Sequence, residues 1–294
     1  MEGVAFVDGA YVPIDEARIP ILDWGFLRSD ATYDVVHVWR GSFFRLGDHV
    51  ERFLRGVRRL HLQLPFEVSE LEPILTECVR KSELRDSYVE MICTRGLPPA
   101  GSRDPREARN AFYAFAIPFV WIADERQRST GLSLHISARE RISPRSVDPT
   151  IKNYHWLDLT AGLFDAYDAG ADTVVLVDPL GNVVEGPGFN LFAISEGVLS
   201  TPDEGVLDGI ARRTVIELAR EDGVQVRECP LPAQAVRDAD EVLLTTTAGG
   251  VVGVTSIDGT PVGDGKLGPV TRSLCDAYWR LHEGPRYATP IAYD

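Results

Sequence analysis

Asp148-Pro149-Thr150-Ile151-Lys152-Asn153-Tyr154-His155-Trp156-Leu157 sets one lysine among apolar and aromatic neighbours at the mouth of an expected helix. A surface lysine seldom keeps such company. The 294-residue chain carries 30 basic side chains, yet Lys81, Lys152 and Lys266 are its only lysines, the rest being arginine. Chemistry that needs an amine therefore has three candidates. Lys81 points away from the helical apolar stripe of Leu71, Ile74, Leu75, Cys78 and Val79, which predicts a solvated side chain. Lys266 sits in the glycine-rich turn Gly263-Asp264-Gly265-Lys266-Leu267-Gly268, expected to be exposed. Lys152 is left as the candidate for function.

Outward from that segment, periodicity gives the organisation. Upstream, Phe6-Val7 and Tyr11-Val12 flank the turn Asp8-Gly9, and Val35 to Trp39 and Phe43-Phe44 flank Arg40-Gly41, which predicts two hairpins. Val50, Phe53, Leu54, Val57 and Leu60 fall at helical spacing, and Ser69-Glu70-Leu71-Glu72 reads as a capping box opening a second helix. Tyr88 to Thr94 and Ala111 to Ile122 read as strands. Downstream, strands are expected at Leu132 to Ile136, Thr173 to Val177, Val183-Val184, Asn190 to Ile194 and Glu241 to Thr245, with helices at Ile210 to Arg220 and Val270 to Leu281. The class is α+β, with a small N-terminal α/β domain (1–120), a polar linker (121–131) and a larger domain (132–294) holding a barrel-like mixed sheet.

Forty-four acidic residues against the 30 basic ones give a net charge of −14, which argues against nucleic acid as a partner. The longest apolar run, Ala111 to Ala123, contains Pro118 and is too short to span a bilayer, and the N-terminus lacks the positive charge of a signal peptide. No membrane association and a cytoplasmic location are expected. Cys78, Cys93, Cys229 and Cys275 are scattered singly and no histidine stands at ligand spacing, so neither a disulfide framework nor a metal site is indicated. Gly263-x-Gly265-x-x-Gly268 matches a dinucleotide fingerprint formally, but no hydrophobic strand leads into it, so a helix-entry turn is the better reading.

Three further segments offer anion or ring contacts. Gly209-Ile210-Ala211-Arg212 opens a helix, whose free amides and dipole favour an anion, although an ordinary helix start would look the same. Thr245-Thr246-Thr247-Ala248-Gly249-Gly250 leaves a strand with hydroxyls and amides together, as a plain turn would also do. Glu185-Gly186-Pro187-Gly188-Phe189-Asn190-Leu191-Phe192 ends one strand on a carboxylate before glycines lead to the next, a pattern shared with exposed hairpin acids.

Taken together, the lysine segment, Glu185-x-Gly-x-x-Asn190, the Gly209-Ile210 helix start, Thr246-Thr247-Ala248-Gly249 and the early Phe44-Arg45-Leu-x-x-His49-x-x-Arg52-Phe resemble the class IV aminotransferases, pyridoxal phosphate enzymes of fold type IV. The resemblance runs over nearly the whole chain. Ile21-Leu22-Asp23-Trp24-Gly25-Phe26, Ser29-Asp30-Ala31-Thr32-Tyr33-Asp34-Val35-Val36 and Phe43-Phe44-Arg45-Leu46 most resemble the (R)-selective amine transaminases, relatives of the branched-chain and D-amino-acid enzymes.

The resemblance implies pyridoxal 5′-phosphate as cofactor and Lys152 as the amine that bonds its aldehyde and then shuttles the substrate proton. It implies Glu185 against the pyridine nitrogen, and Arg52, the Ile210 and Ala211 amides and Thr246 and Thr247 around the phosphate. Ala211 departs from the usual threonine, so one hydroxyl contact is missing. Tyr33, Tyr88, Glu90 and Ala248 are expected to line the substrate site. Glu90 stands where the branched-chain enzymes carry an arginine, which argues against their carboxylate mode. Arg103, in a loop with Arg106 and Arg109, would swing in for a keto acid and out for an apolar amine, and Arg28 offers a second carboxylate contact. The implied reaction moves an amino group between an (R)-amine or D-amino acid and a keto acid such as pyruvate, in a homodimer with its active site near the subunit interface. Alternatives are a D-amino-acid transaminase with little amine activity, a branched-chain enzyme, a fold-type-IV aminodeoxychorismate lyase releasing pyruvate, and an inactive scaffold.

Overall fold

The computed structural model describes residues 2–293. The chain divides into two compact units, the first formed by Met1–Val120, Ile151–His155 and Gly284–Asp294, the second by Trp121–Thr150 and Trp156–Glu283.

In the first unit, β1 (Val4–Val7), β2 (Ala10–Pro13), β3 (Ala31–Trp39), β4 (Ser42–Phe44), β5 (Ser87–Leu97) and β6 (Arg109–Pro118) join the C-terminal strand Ala288–Pro290 in one antiparallel sheet. Its order is C-terminal strand, β4, β3, β5, β6, β1, β2. Both expected hairpins form, and their two-residue turns take positive φ at Asp8 and Gly9 and at Arg40 and Gly41. That is the twist-compatible geometry for a two-residue connection. Three helices belong to this unit: α1 (Trp24–Arg28), α2 (Leu46–Arg59) and α3 (Leu71–Ser82).

The stripe Leu46, Val50, Phe53 and Val57 of α2 and the stripe Leu71, Ile74, Leu75, Cys78 and Val79 of α3 share a core with Val36, Val38, Val89 and Met91 from the sheet. Gly56 lets α2 approach β3, since a Cβ there would stand 2.4 Å from Thr32 Oγ1. The register Tyr33↔Ile92, Val35↔Glu90 and His37↔Tyr88 puts these six residues on the other sheet face. The capping box falls two residues earlier than expected. Glu67 and Glu70 form it around a 3-10 turn at Val68–Glu70 that precedes α3, each carboxylate taking the other residue's backbone amide.

The second unit is built on β7 (Leu132–Glu140), β8 (Thr173–Val177), β9 (Asn182–Val183), β10 (Glu185–Gly186), β11 (Phe189–Ser195), β12 (Val198–Thr201), β13 (Gln225–Glu228), β14 (Leu231–Pro232), β15 (Glu241–Thr246), β16 (Gly250–Ile257) and β17 (Thr260–Pro261). The sheet runs β13-β12-β11-β15-β16-β7-β8-β9-β14, with β10 on β11 and β17 on β16. It is mixed: β7 is parallel to β8 and β16, and β12 to β13, while the other pairs are antiparallel. Helices α4 (Glu125–Thr130), α5 (Leu157–Asp168), α6 (Ile210–Glu221), α7 (Ala233–Arg237) and α8 (Pro269–Arg280) accompany it.

Residues 121–131, expected as a linker, belong to the second unit. Asp124 and Gln127 cap each other's backbone there and open α4. Two segments expected in the larger domain belong to the first unit for a hydrogen-bonding reason. Ile151–His155 runs beside β3, and the C-terminal strand pairs with β4. Gly268 caps α8 rather than a phosphate. A Cβ on it would meet Glu241 Cδ at 1.9 Å, and Glu241 accepts the amides of Val270 and Thr271. Among the described residues no helix is long and apolar enough to cross a membrane.

Candidate active site

In the first unit, β4 covers β3 only at Val38 and Trp39, and further back along the same strand comes the lysine segment. The Lys152 carbonyl accepts both the Tyr33 amide (3.1 Å) and the Thr32 hydroxyl (2.8 Å), so the backbone at the lysine is fixed to the strand. Asn153 Nδ2 donates to the Ile151 carbonyl, and Asn153 Oδ1 accepts the His155 amide, which stiffens the loop from within. The half-buried Lys152 side chain lies with Nζ 4.5 Å from the centroid of the Tyr33 ring. Among the described residues it makes no hydrogen bond or ion pair, whereas Lys81 pairs with Glu77 and Lys266 with Asp264. An amine held in place by its backbone and left unspent at its tip is suited to nucleophilic work.

The Tyr33 ring stacks on Tyr154 with centroids 4.3 Å apart and planes 5° from parallel. Tyr154 Oη donates to Glu90 Oε1 at 2.7 Å, the one hydrogen bond of this carboxyl among the described residues. Burial pushes the Glu90 carboxyl above its ordinary range, against the Tyr154 hydrogen bond and the Lys152 charge. Burial and then Glu90 raise the phenols of Tyr88 and Tyr154. The structure thus gathers Lys152, Tyr33, Tyr88 and Glu90, with Tyr154 among them.

On the helix-covered side, Arg52 projects from α2 onto Asp34 of β3, with Nε to Oδ2 at 2.7 Å and Nη2 to Oδ1 at 2.8 Å. His49, one turn earlier on α2, lies with Nδ1 2.8 Å from Asp34 Oδ1, which also accepts the Val35 amide. Asp34 is fully buried, which by itself would raise its pKa, but the Arg52 charge and the bonds from Arg52 and His49 outweigh this and hold the carboxyl well below the usual range. Burial lowers His49, leaving a neutral ring that donates through Nδ1. The cluster is a compensated Asp34–Arg52 pair, and a phosphate role for Arg52 has to use the guanidinium edge that Asp34 does not occupy.

Arg28 and Arg103 stand apart from this group. Arg28 is exposed on α1 with its guanidinium 3.4 Å from the Trp24 ring centroid, and Arg103 is exposed with no hydrogen bond or ion pair among the described residues. Arg106 in the same loop is held by Asp104.

In the second unit, the pairings Glu185↔Asn190 and Asn190↔Thr245 set three polar side chains in a row across β10, β11 and β15. Glu185 accepts Arg141 Nε at 3.2 Å through Oε1 and the Leu207 amide at 2.9 Å through Oε2. Arg141 Nη1 also reaches Asp158 at 2.7 Å. Asn190 donates to the Leu207 carbonyl and lies so near Gly209 that a Cβ there would stand 2.0 Å from its Oδ1. Gly209 caps α6 without any side-chain hydrogen bond, so the first-turn amides of buried Ile210 and Ala211 remain open to an anion. Thr246 Oγ1 accepts the Ala248 amide, Thr247 is half-buried beside it, and the buried Thr245 Oγ1 has no hydrogen-bond partner among the described residues.

Sequence reasoning did not single out Asp34, His49, Tyr154, Arg141 or Asp158 as site residues. The i to i+3 spacing of His49 and Arg52 on one helix face was the available signal for the first cluster. Nothing local announces Arg141, whose partner Glu185 is 44 residues away.

Comparison with known proteins gives the family. The family described as amino-transferase class IV matches residues 31–257. A putative branched-chain-amino-acid aminotransferase of Methanocaldococcus jannaschii is 30% identical over 276 residues, covering 93% of this chain and 94% of that protein. A D-alanine aminotransferase of Staphylococcus haemolyticus is 27% identical over 279 residues, covering 93% and 95%. The crystal structure of the branched-chain aminotransferase from Thermoproteus uzoniensis with norvaline superposes with a TM-score of 0.90 at 26% identity, over 98% of this chain and 99% of that one. A family match across most of the chain, relatives matched nearly end to end and a shared α+β fold of type IV lead to one conclusion: the chain belongs to the class IV aminotransferases.

Proposed function

We propose that this aminotransferase moves an amino group between an (R)-amine or D-amino acid and a keto acid such as pyruvate, in two half-reactions. The observation that carries the reading is Glu90, a buried carboxyl on the same sheet face as Tyr33. A substrate α-carboxylate at that wall would face an acid where it needs a cationic donor, whereas an apolar amine loses nothing there.

The cofactor is pyridoxal 5′-phosphate, which when bound supplies an aldehyde to receive the amino group and a ring that draws electrons from the adjoining carbon. The donor set fits it: an unspent amine at Lys152, a charge-compensated carboxylate at Glu185, and an uncapped helix start at Ile210 with a glycine before it. In this reading Lys152 Nζ would be the amine that holds the cofactor at its aldehyde, and as a free amine it would take the proton from the substrate Cα. Glu185 holds a proton at the ring nitrogen. The Ile210 and Ala211 amides, the Thr246 and Thr247 hydroxyls and Arg52 hold the phosphate. Arg103, exposed and without a hydrogen bond or ion pair among the described residues, would be the donor for a keto-acid carboxylate, with Arg28 as a second.

A homodimer belongs to the same proposal. Ile19, Ile21, Leu22, Phe26 and Leu27 are all more than half exposed within one short stretch, and a partner would cover them. The relatives' names equally support a branched-chain or D-alanine enzyme, so the test compares the three substrate types. Half-reactions of the loaded enzyme with (R)-1-phenylethylamine, D-alanine and L-leucine, followed by cofactor absorbance, should be fast with the first two and slow with the last. Fast reaction with L-leucine and none with the amine would make it a branched-chain enzyme.

A further inference from the structure

Tyr154 is two residues from Lys152, stacks on Tyr33 and donates its hydroxyl to Glu90. It is thus bonded to both the aromatic support of the lysine and the acidic wall. We infer that Tyr154 is a specificity-positioning residue acting through Glu90: its hydroxyl keeps the Glu90 carboxyl ordered and charged beside the lysine, so that the pocket discriminates against ligands bearing a carboxylate.

Three observations support the inference. Glu90 Oε1 is taken by Tyr154, and Oε2 has no hydrogen bond among the described residues, so one carboxyl oxygen is free to meet a ligand. The Tyr154 ring cannot turn away without breaking its near-parallel stack on Tyr33, which pre-orients the hydroxyl. The groups on the Glu90 side are Lys152 and Tyr154 from the loop and Tyr88 from its own strand, while the Asp34 charge acts on it from the opposite face of β3. Of these Tyr154 alone bonds it directly, and a hydrogen bond donated to a carboxylate favours the charged form. The same wall accepts a neutral or hydrogen-bond-donating group and rejects an anion of equal shape.

The inference rests on the placement of Glu90 in the substrate site proposed above, and its test is independent of which amine is turned over. Propionate and propionamide have nearly the same shape and differ in charge. Their dissociation constants would be measured by calorimetry on the loaded wild-type enzyme, Tyr154→Phe, Glu90→Gln and the double variant, with thermal melts to establish folding. Relative to propionamide, propionate should bind about tenfold tighter in Glu90→Gln and about threefold tighter in Tyr154→Phe, in keeping with loss of one charge and of one hydrogen bond to it. The Tyr154 effect should vanish in the Glu90→Gln background. An effect of Tyr154→Phe that persists without the carboxylate, equal changes for the acid and the amide, unchanged propionate affinity or failure of propionate to bind any of the four proteins would each overturn the inference. A wild-type enzyme that ignores (R)-1-phenylethylamine but shows the expected cycle would overturn the amine reading alone.

Discussion

The backbone amide of Tyr33 donates to the carbonyl of Lys152 at 3.1 Å, across 119 positions of chain. This bond and the one from Thr32 use the open edge of β3 to hold the lysine by its main chain, so its side chain needs no partner. The Tyr33 ring then lies under Nζ, and Tyr154 under the ring. A strand edge, normally a liability, serves here as the mount for the lysine segment.

Glu185→Gln should slow the half-reaction by about two to three orders of magnitude, the scale on which losing one preorganised electrostatic partner acts. The single oxygen of the neutral amide can still accept from either Arg141 or the Leu207 amide but not both, and Arg141 keeps Asp158, so stability should fall by about 1–2 kcal/mol. Stopped-flow absorbance and a denaturant melt check both parts. Parent-like rates would remove the electron-sink role.

Asp34→Asn should be far more damaging to stability, by about 3–5 kcal/mol, because it leaves the Arg52 guanidinium buried without its counter-charge. Asp34 also sets an acid limit. Its carboxyl is held below the ordinary value of 3.8, so the stability it contributes is present above that pH and is lost as the pH falls below it towards the depressed folded value. Urea melts from pH 6 down to pH 3 should show the parent weakening steeply below pH 4 and Asp34→Asn changing less.

Glu90 has the opposite sign. Burial raises its carboxyl above the ordinary 4.5, so it is protonated at low pH and charges only above that value. The ratio of kcat/KM for D-alanine over (R)-1-phenylethylamine should therefore fall as pH rises from 5, and should be flat in Glu90→Gln. A ratio that climbs with pH, or a variant that follows the parent, would contradict the role of this carboxyl.

Arg103→Ala should weaken pyruvate binding by about 1.5–3 kcal/mol, the value of a charge-assisted bond, and leave affinity for a carboxylate-free amine nearly unchanged. Its exposed side chain has no hydrogen bond or ion pair to lose among the described residues, so the melting temperature should not move. Equal losses for both ligands would mean that the arginine only orders its loop.

The two hairpins were legible because Asp8-Gly9 and Arg40-Gly41 act locally, and α2 and α6 because their apolar spacing does. The capping box lies two residues earlier for a local reason too, since a 3-10 turn at Val68–Glu70 precedes α3 and carries the box on Glu67 and Glu70. The polar run 124–131 read as a linker because its hydrophilic composition hid the Asp124 and Gln127 caps. Site residues divided differently. Lys152 and Glu185 stood out by neighbours and motif, whereas Asp34–Arg52, Glu90–Tyr154 and Arg141–Glu185 are separated by 18, 64 and 44 positions, and only tertiary packing of a helix or loop against a strand brings each pair together. Pattern along a chain carries no signal for such pairs.

Lys152 as the covalent anchor of the cofactor is the claim on which the rest depends. Lys152→Ala should fold like the parent, because its Nζ bonds nothing among the described residues, and should lose at least about a thousandfold in amino transfer. The direct measurement is reduction of the pyridoxal phosphate-loaded protein with borohydride, followed by peptide mass mapping. The account predicts one phosphopyridoxyl adduct, on the peptide carrying Lys152; an adduct on Lys81 or Lys266, or no adduct on a protein that still transfers amino groups, would contradict it.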